Sequence, residues 1–138
     1  MGWLFWASLS AVASALTAIL AKLGVENVPT SAAVVFRTIV VLMLTGAMML
    51  SLGEHRALMT ASRRSLVFLT LSGLATGVAW IAYFRALQLG PASRVAPIDK
   101  LSLPLAIILA AVVLNESMTW RLVAGVALMT IGALITIK

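Results

Sequence analysis

Long apolar stretches make up most of this chain and limit what it can fold into. A helix needs about 20 predominantly apolar residues to cross the hydrocarbon core of a bilayer. Five stretches meet that requirement, at about 3–21, 31–52, 66–87, 92–114 and 120–137. The polar connections between them are too short to fold separately. The sequence therefore predicts an all-α membrane protein whose residues 1–138 form one domain, a bundle of five transmembrane helices.

Charged residues are scarce and scattered. They make up 10% of the 138 residues, whereas soluble domains contain about 25%. The formal net charge of +6 raises the alternative of a nucleic-acid partner. However, the Lys and Arg residues form no basic face and no patch interleaved with aromatic residues. We interpret them as the ordinary loop charges of a membrane protein and expect no nucleic-acid partner.

The sequence offers no residue pattern for enzyme chemistry or for a metal site. Cysteine is absent, which excludes disulfides and thiolate ligands. The one histidine, His55, stands beside Arg56 with no second ligand at a useful spacing. The motifs of zinc proteases, serine hydrolases and nucleotide-binding loops are missing as well. We expect a protein without a metal, a cofactor or a catalytic activity.

The first apolar stretch begins almost at the first residue. The letters ASA at 13–15 are similar to a signal-peptide cleavage site, but no basic segment precedes the apolar run. We therefore predict an uncleaved membrane helix.

Lys and Arg are balanced between the two predicted faces of the membrane. Orientation follows an excess of these residues on the cytoplasmic side, and five spans place the termini on opposite sides. One face carries Arg56, Arg63, Arg64 and Arg121, and the other carries Lys22, Arg85, Arg94 and Lys138. Balanced charge with an odd number of spans predicts insertion in both orientations and an antiparallel homodimer, whose halves are related like inverted repeats.

Three charged residues lie inside predicted spans. Arg37 lies about seven residues into the second, and Asp99 and Lys100 lie at a similar depth in the fourth, which predicts a common level. A charge at the centre of a membrane helix costs about 2.5 to 3.5 kcal/mol, so such residues usually face a bundle interior or a wet cavity. Alternatively, Arg37 and Lys100 reach the headgroups with their long side chains, whereas Asp99 is too short. We predict an ion pair between Arg37 and Asp99.

Aromatic residues lie near the end of the third predicted span. That span ends on the side of the membrane where the second span, which contains Arg37, begins. Trp80, Tyr83 and Phe84 are spaced i, i+3 and i+4, which places them along one side of a helix. They line a polar cavity in one interpretation and form the aromatic belt of a membrane interface in the other.

Pro97 and Pro104 enclose the charged pair of the fourth span. Each removes a backbone donor and loosens the preceding turn, so the carbonyls of Ser93 and Lys100 should lose their usual partners. Broken backbone at membrane depth is tolerated where protein or cavity water satisfies it. We predict a hinged, discontinuous helix that borders a polar cavity, with an ordinary proline kink as the alternative.

Small residues recur at helix-packing intervals. Such rows let backbones approach closely in lipid, where the hydrophobic effect does not drive helix association. We predict packing faces, within or between subunits, at Ala7, Ala11 and Ala15, at Gly73 and Gly77, and at Gly125 and Gly132.

Residues 80–135 carry a series of motifs that resembles a known domain. They are an aromatic helix ending in RAL, the turn GPAS, the proline-flanked PIDKLSLP, an acid after the fourth span and GVALMTIGAL in the fifth. Together they resemble the EamA-type domain of the drug/metabolite transporter superfamily. FRTIVVL at 36–42 is similar to the arginine motif of that domain's second helix.

The resemblance implies a fold, an activity and a location. Most members contain two such domains in inverted orientation, whereas this chain resembles the single-domain, five-span bacterial or archaeal branch, which would dimerise. It implies a multi-pass protein of the inner (plasma) membrane, a secondary transporter subunit that moves a small organic metabolite, amino acid-like or related, by alternating access. Its expected partners are a second copy, the lipid bilayer and the solute.

The resemblance also implies the residues that line or gate the cavity. They are Arg37, Tyr83, Asp99, Lys100 and Glu116, and Trp80 joins them from its place in the aromatic row. Asn115 stands where glycine is more usual before the acid, which leaves the local helix end open to question. The alternative function is that of a non-transporting scaffold or assembly partner of another membrane protein.

Overall fold

The computed structural model describes residues 2–136, and every regular element among them is a helix. The helices, in chain order, are α1 Trp3–Gly24, α2 Thr30–Ser51, α3 His55–Met59, α4 Arg63–Leu89, α5 Ala92–Asp99, α6 Ser102–Val113 and α7 Trp120–Ile135. The predicted all-α fold is thus confirmed. Two residues used above, Lys138 in the charge balance and residue 137 at the end of the last span, lie outside the described residues.

Among residues 2–136, four helical stretches are long and apolar enough to cross a membrane. α1, α2 and the stretch from α5 through α6 each extend over 22 residues, which is about 33 Å at about 1.5 Å per residue. α4 has 27 residues, or about 40 Å. Since a hydrocarbon core is about 30 Å thick, each of the four has the length of a span.

α7 is shorter than the fifth predicted span. Its 16 residues amount to about 24 Å, which is less than the thickness of a typical hydrocarbon core. It begins at Trp120 because Thr119 caps it, with the Thr119 hydroxyl accepting a hydrogen bond from the Leu122 N–H at 3.3 Å. The five-span count therefore stays a prediction.

The connection after α2 is more helical than expected. α3 lies in the polar stretch between the second and third predicted spans, and α4 begins at Arg63, ahead of the predicted start at residue 66. The Ser62 hydroxyl accepts a hydrogen bond from the Ser65 N–H at 3.1 Å, which is how serine caps a helix start. Arg63 and Arg64 therefore belong to the first turn of α4.

One compact unit comprises Ala21–Gln88. It contains the end of α1, α2, α3 and nearly all of α4. Its buried apolar side chains are Val25, Val34, Phe84 and Leu87. Most other large apolar side chains of this unit are exposed, which fits lipid as the surrounding medium of the helices.

The other compact unit combines the first part of α1 with α5, α6 and α7. Within it, α7 packs against both α5 and α6. Pro104 of α6 and Ala133 of α7 are its buried residues among those described. Small side chains and a proline ring at these positions let the helix backbones approach each other closely.

Candidate functional site

Arg37 lies inside a helix of spanning length and contacts the faces of two aromatic rings. It is the eighth residue of α2, about 10 Å along the helix from Thr30. Its guanidinium carbon lies 4.4 Å from the centre of the Trp80 ring and 5.5 Å from that of Phe84. Both distances are within the about 6 Å of a cation–π interaction, for which tryptophan is the strongest partner. α4 therefore supplies the contacts that hold Arg37.

The hydrogen-bond donors of Arg37 have no protein acceptor among the described residues. Its side chain is half-buried, and its guanidinium contacts two ring faces rather than a carboxylate or a carbonyl. A guanidinium carries five N–H donors in a planar fork that matches a carboxylate. The ion pair expected between Arg37 and Asp99 stays a prediction.

The aromatic row occupies one side of α4. Tyr83 and Phe84 contact each other edge to face, with ring centres 6.5 Å apart. Phe84 is buried, and Trp80 and Tyr83 are half-buried. Trp80 and Phe84 therefore present their ring faces to the Arg37 side chain. The cavity and the interfacial belt both stay predictions.

The end of α4 is tied to the connection between α1 and α2. The Gln88 side-chain amide donates to the carbonyls of Val25 and Val28 at 3.2 and 2.8 Å. Its oxygen accepts a hydrogen bond from the Thr30 hydroxyl at 2.6 Å. One side chain at the end of α4 therefore binds both the beginning and the end of the turn that leads into α2.

The fourth predicted span is interrupted at its charged pair. α5 ends at Asp99 and α6 begins at Ser102. The Lys100 Nζ lies 3.4 Å from an Asp99 carboxylate oxygen, and the two side chains are 56% and 40% exposed. Exposed pairs of this kind contribute about 0 to 1 kcal/mol. The pair therefore presents charge at the interruption without being needed to hold it in place.

The two prolines lie on either side of the interruption. Pro97 is inside α5, and Pro104 is the third residue of α6. The Lys100 carbonyl was predicted to lose its usual helical partner, and it does, since Pro104 has no N–H. It accepts a hydrogen bond from the Leu103 N–H at 3.0 Å instead. The chain tightens into a three-residue turn, in which the Leu103 N–H replaces the donor that Pro104 lacks. The hinge role of the prolines stays a prediction.

Glu116 lies in the irregular segment between α6 and α7. α6 ends where Asn115 adopts a left-handed backbone with a φ of 54°, a conformation that asparagine accepts more readily than other residues with a side chain. Asn115 thus takes the place of the more usual glycine. Its neighbour Glu116 is exposed, and the Glu116 N–H donates back to the Ala110 carbonyl at 3.4 Å.

Comparison with known proteins assigns the chain to a family. The EamA-like transporter family matches residues 1–138. The chain belongs to that family. A relative from Sinorhizobium sp, named an uncharacterized transporter in the cobO 3′ region, is 44% identical over 133 residues, which cover 96% of this chain and 94% of the relative. No solved structure matches.

EamA membership confirms the resemblance drawn from the sequence motifs, and it makes the chain a member of a family of membrane transporters. Of the predicted site residues, one compact unit contains Arg37, Trp80 and Tyr83, and the other contains Asp99, Lys100 and Glu116. Their roles in binding or gating stay predictions. Among residues 2–136, no group of three or more His, Asp or Glu side chains could hold a metal ion.

Gln88 and Thr30 were not predicted as site residues, although their hydrogen bond joins the end of α4 to the start of α2. Phe84 was predicted only as part of the aromatic row, and it contacts Arg37 at 5.5 Å. One signal was available. Trp80, Phe84 and Gln88 are spaced by four residues, so they lie along one side of α4. An amide that continues an aromatic row, at the end of an apolar helix, indicates a polar contact for that side chain.

The small-residue faces are open in this EamA chain. A side-chain carbon added at Gly73, Gly77, Gly125 or Gly132 would meet no atom of the described residues within 4 Å, the backbone of its own helix aside. Ala7 and Ala11 are exposed. The packing predicted for these residues stays a prediction, and the faces are accessible to lipid or to a second molecule.

Proposed function

We propose that this chain is a subunit of a secondary transporter that moves a small organic solute, amino acid-like or related, by alternating access. The observation that carries the proposal is the Arg37 guanidinium, which lies within a spanning helix against the Trp80 ring at 4.4 Å. Family membership supplies the class of activity. Arg37 supplies the chemistry by which a solute would be recognised.

The ring contacts of Arg37 do not fully offset the cost of its charge within a membrane helix. A charge at the centre of a membrane helix costs about 2.5 to 3.5 kcal/mol, and a cation–π contact offsets about 0.5 to 2 kcal/mol. The cost is lower for Arg37 because it lies about 10 Å along α2, short of the middle of the helix. A carboxylate would offset the rest, since it accepts two parallel hydrogen bonds from one guanidinium. The proposal therefore favours solutes that carry a carboxylate.

The interruption between α5 and α6 supports the same function. Transporters commonly build their binding sites from discontinuous helices, whose unpaired backbone groups are tolerated where they line a cavity. Asp99 and Lys100 lie at such an interruption and are exposed. We assign them to the solute path, and we assign Tyr83 and Glu116 to its gating.

The proposed assembly is an antiparallel homodimer of five-span subunits in the inner (plasma) membrane, equivalent to a ten-helix inverted repeat. The balance of Lys and Arg between the connections supports it. Reporter fusions to the C-terminus should give signal from both sides of the membrane. Signal from one side, unmoved by a lysine added to one connection, would refute dual insertion.

Proteoliposomes that contain only this chain test the proposed transport. We expect counterflow of at least one radiolabelled amino acid and none of the amine that lacks its carboxylate. Arg37→Ala should lower the rate at least tenfold, and Arg37→Lys should lower it substantially because lysine cannot form the two-pronged contact. Arg56→Ala, in α3 and outside the long helices, should not. Equal counterflow of amine and amino acid would contradict a carboxylate site.

A second candidate function is supported by the open glycine faces of α4 and α7. A non-transporting scaffold would use such faces to pack against another membrane protein. A well-folded chain that moves no solute, yet copurifies with one membrane protein and loses it on Gly73→Leu or Gly77→Leu substitution, would support this candidate over transport.

A further inference from the structure

Gln88 uses all of its hydrogen-bonding capacity. Its Nε2 donates to the carbonyls of Val28 and Val25 at 2.8 and 3.2 Å. Its Oε1 accepts from the Thr30 hydroxyl at 2.6 Å and from the Arg85 Nη1 at 3.2 Å. A glutamine amide has two donors and an oxygen with two lone pairs, so each is occupied. The two carbonyl partners also establish which end of the amide carries the nitrogen.

A second contact ties the same end of α4 to the end of α1. The Lys22 Nζ donates to the Leu87 carbonyl at 2.7 Å. This carbonyl lies in the last turn of α4, where carbonyls have no partner within the helix. Beside it, Leu87 and Val25 are 0% and 1% exposed. The polar contacts of Gln88 and Lys22 thus border an apolar cluster from which water and lipid are excluded.

The Gln88 contacts and the Arg37 contacts lie at matching distances along α2 and α4. Arg37 follows Thr30 by seven residues, about 10 Å along α2, and Trp80 precedes Gln88 by eight residues, about 12 Å along α4. Thr30 contacts Gln88, and Arg37 contacts Trp80. The two helices therefore run antiparallel and meet at two points, so a shift at one point displaces the other.

We propose that Gln88 is a positioning residue for Arg37: by fixing the end of α4 to the turn before α2, it sets the register in which the guanidinium lies on Trp80. The inference deepens the proposed function, since it concerns the same candidate solute site. Gln88 does not contact Arg37. It acts through its hydrogen bond to Thr30 and along the two helices, about two turns away from the Arg37 charge.

Trp80 fluorescence can report the register directly. With Trp3, Trp6 and Trp120 replaced by phenylalanine, Trp80 is the sole tryptophan of the chain. We expect Arg37→Ala to shift its emission, since the cation no longer lies on the ring. Gln88→Leu should reproduce at least half of that shift. In the Arg37→Ala background it should add nothing, because no guanidinium is left to displace.

Two threonines of α2 provide a matched control. Thr30→Val removes the hydrogen bond to Gln88 and should shift the emission, whereas Thr30→Ser keeps the hydroxyl and should not. Thr45→Val removes a hydroxyl that bonds only to carbonyls of its own helix, so it should leave the emission unchanged. If Gln88→Leu does not give a monodisperse protein, the Thr30 pair decides the question by itself.

Several outcomes would overturn the positioning role. They are a wild-type emission in both Gln88→Leu and Thr30→Val, an equal shift from Gln88→Leu with and without Arg37, or an equal shift from Thr45→Val. The measurement uses no solute. If the wild-type chain moves no amino acid but Gln88→Leu shifts the emission only when Arg37 is present, the transport proposal is refuted and the positioning role is supported. If counterflow depends on Arg37 while the fluorescence shifts are additive, transport stands and the positioning role fails.

Discussion

Replacing Trp80 with leucine should destabilise the protein mainly through its effect on Arg37. Leucine stays apolar but presents no ring face to the guanidinium, which lies 4.4 Å from the centre of the Trp80 ring. Phe84 remains, at 5.5 Å, but it is more distant, and phenylalanine attracts cations less than tryptophan does. Arg37 would then lie within a spanning helix with its better partner gone.

The expected coupling free energy between Arg37 and Trp80 is about 1 kcal/mol. A cation–π contact contributes about 0.5 to 1 kcal/mol at exposed sites and about 2 kcal/mol when desolvated, and the half-buried Arg37 lies between these cases. Replacing Arg37 first removes the charge that needs the ring. Trp80→Leu should therefore cost about 1 kcal/mol less in the Arg37→Ala background, which is about fivefold in the folding equilibrium.

A double-mutant cycle measures this coupling. The free energy of unfolding of the wild type, the two single variants and the double variant would be determined in one detergent by denaturant titration, followed by circular dichroism. Arg64 and Phe68, 5.9 Å apart near the start of α4, form a matched pair in which both residues are exposed, so their coupling should be smaller. Additivity of Arg37→Ala and Trp80→Leu within about 0.3 kcal/mol would refute the interaction.

Three further predictions concern Asn115 and Asp99. Asn115→Gly should leave the free energy of unfolding nearly unchanged, whereas Asn115→Val should lower it by about 1 to 2 kcal/mol, because a branched side chain opposes the left-handed backbone; thermal denaturation in detergent would compare the two. Asp99→Asn should cost less than about 1 kcal/mol of stability while abolishing counterflow, so an active Asp99→Asn variant would remove Asp99 from the solute path. If Arg37 and Asp99 form the expected pair, Asp99→Asn alone should lower stability more than Asp99→Asn combined with Arg37→Ala, and additive values would exclude the pair.

The long helices could be predicted because lipid imposes a simple requirement on them. A run of about 20 apolar residues is needed whatever the details of packing, so α1 and α2 lie where the apolar stretches do. The start of α4 was harder to predict, since Ser62 caps a helix whose first residues are the charged Arg63 and Arg64. A rule based on apolar length alone places the start of that helix too far along the sequence.

The contacts of the site depend on residues that are distant in the sequence. Spacing shows that Trp80 and Phe84 share one side of α4, but not that Arg37 covers that side. The hydrogen bonds of Gln88 reach Thr30 and Val25 across 58 and 63 positions, and no local pattern indicates such partners. The interruption in the fourth span was foreseeable because prolines act on their own backbone. The compensating bond from the Leu103 N–H was not foreseeable, since it depends on the turn that forms.

The length of α4 makes the protein sensitive to the thickness of its membrane. Its apolar stretch, residues 66–87, is about 33 Å long and nearly matches a typical hydrocarbon core of about 30 Å. In a thinner or thicker core the helix changes its tilt, or the lipid around it adjusts. Since α2 is attached to α4 at both Gln88 and Trp80, a change of tilt would strain both contacts together. In vesicles made from lipids of increasing acyl-chain length, the contact between Arg37 and Trp80 would then change without any change in the sequence.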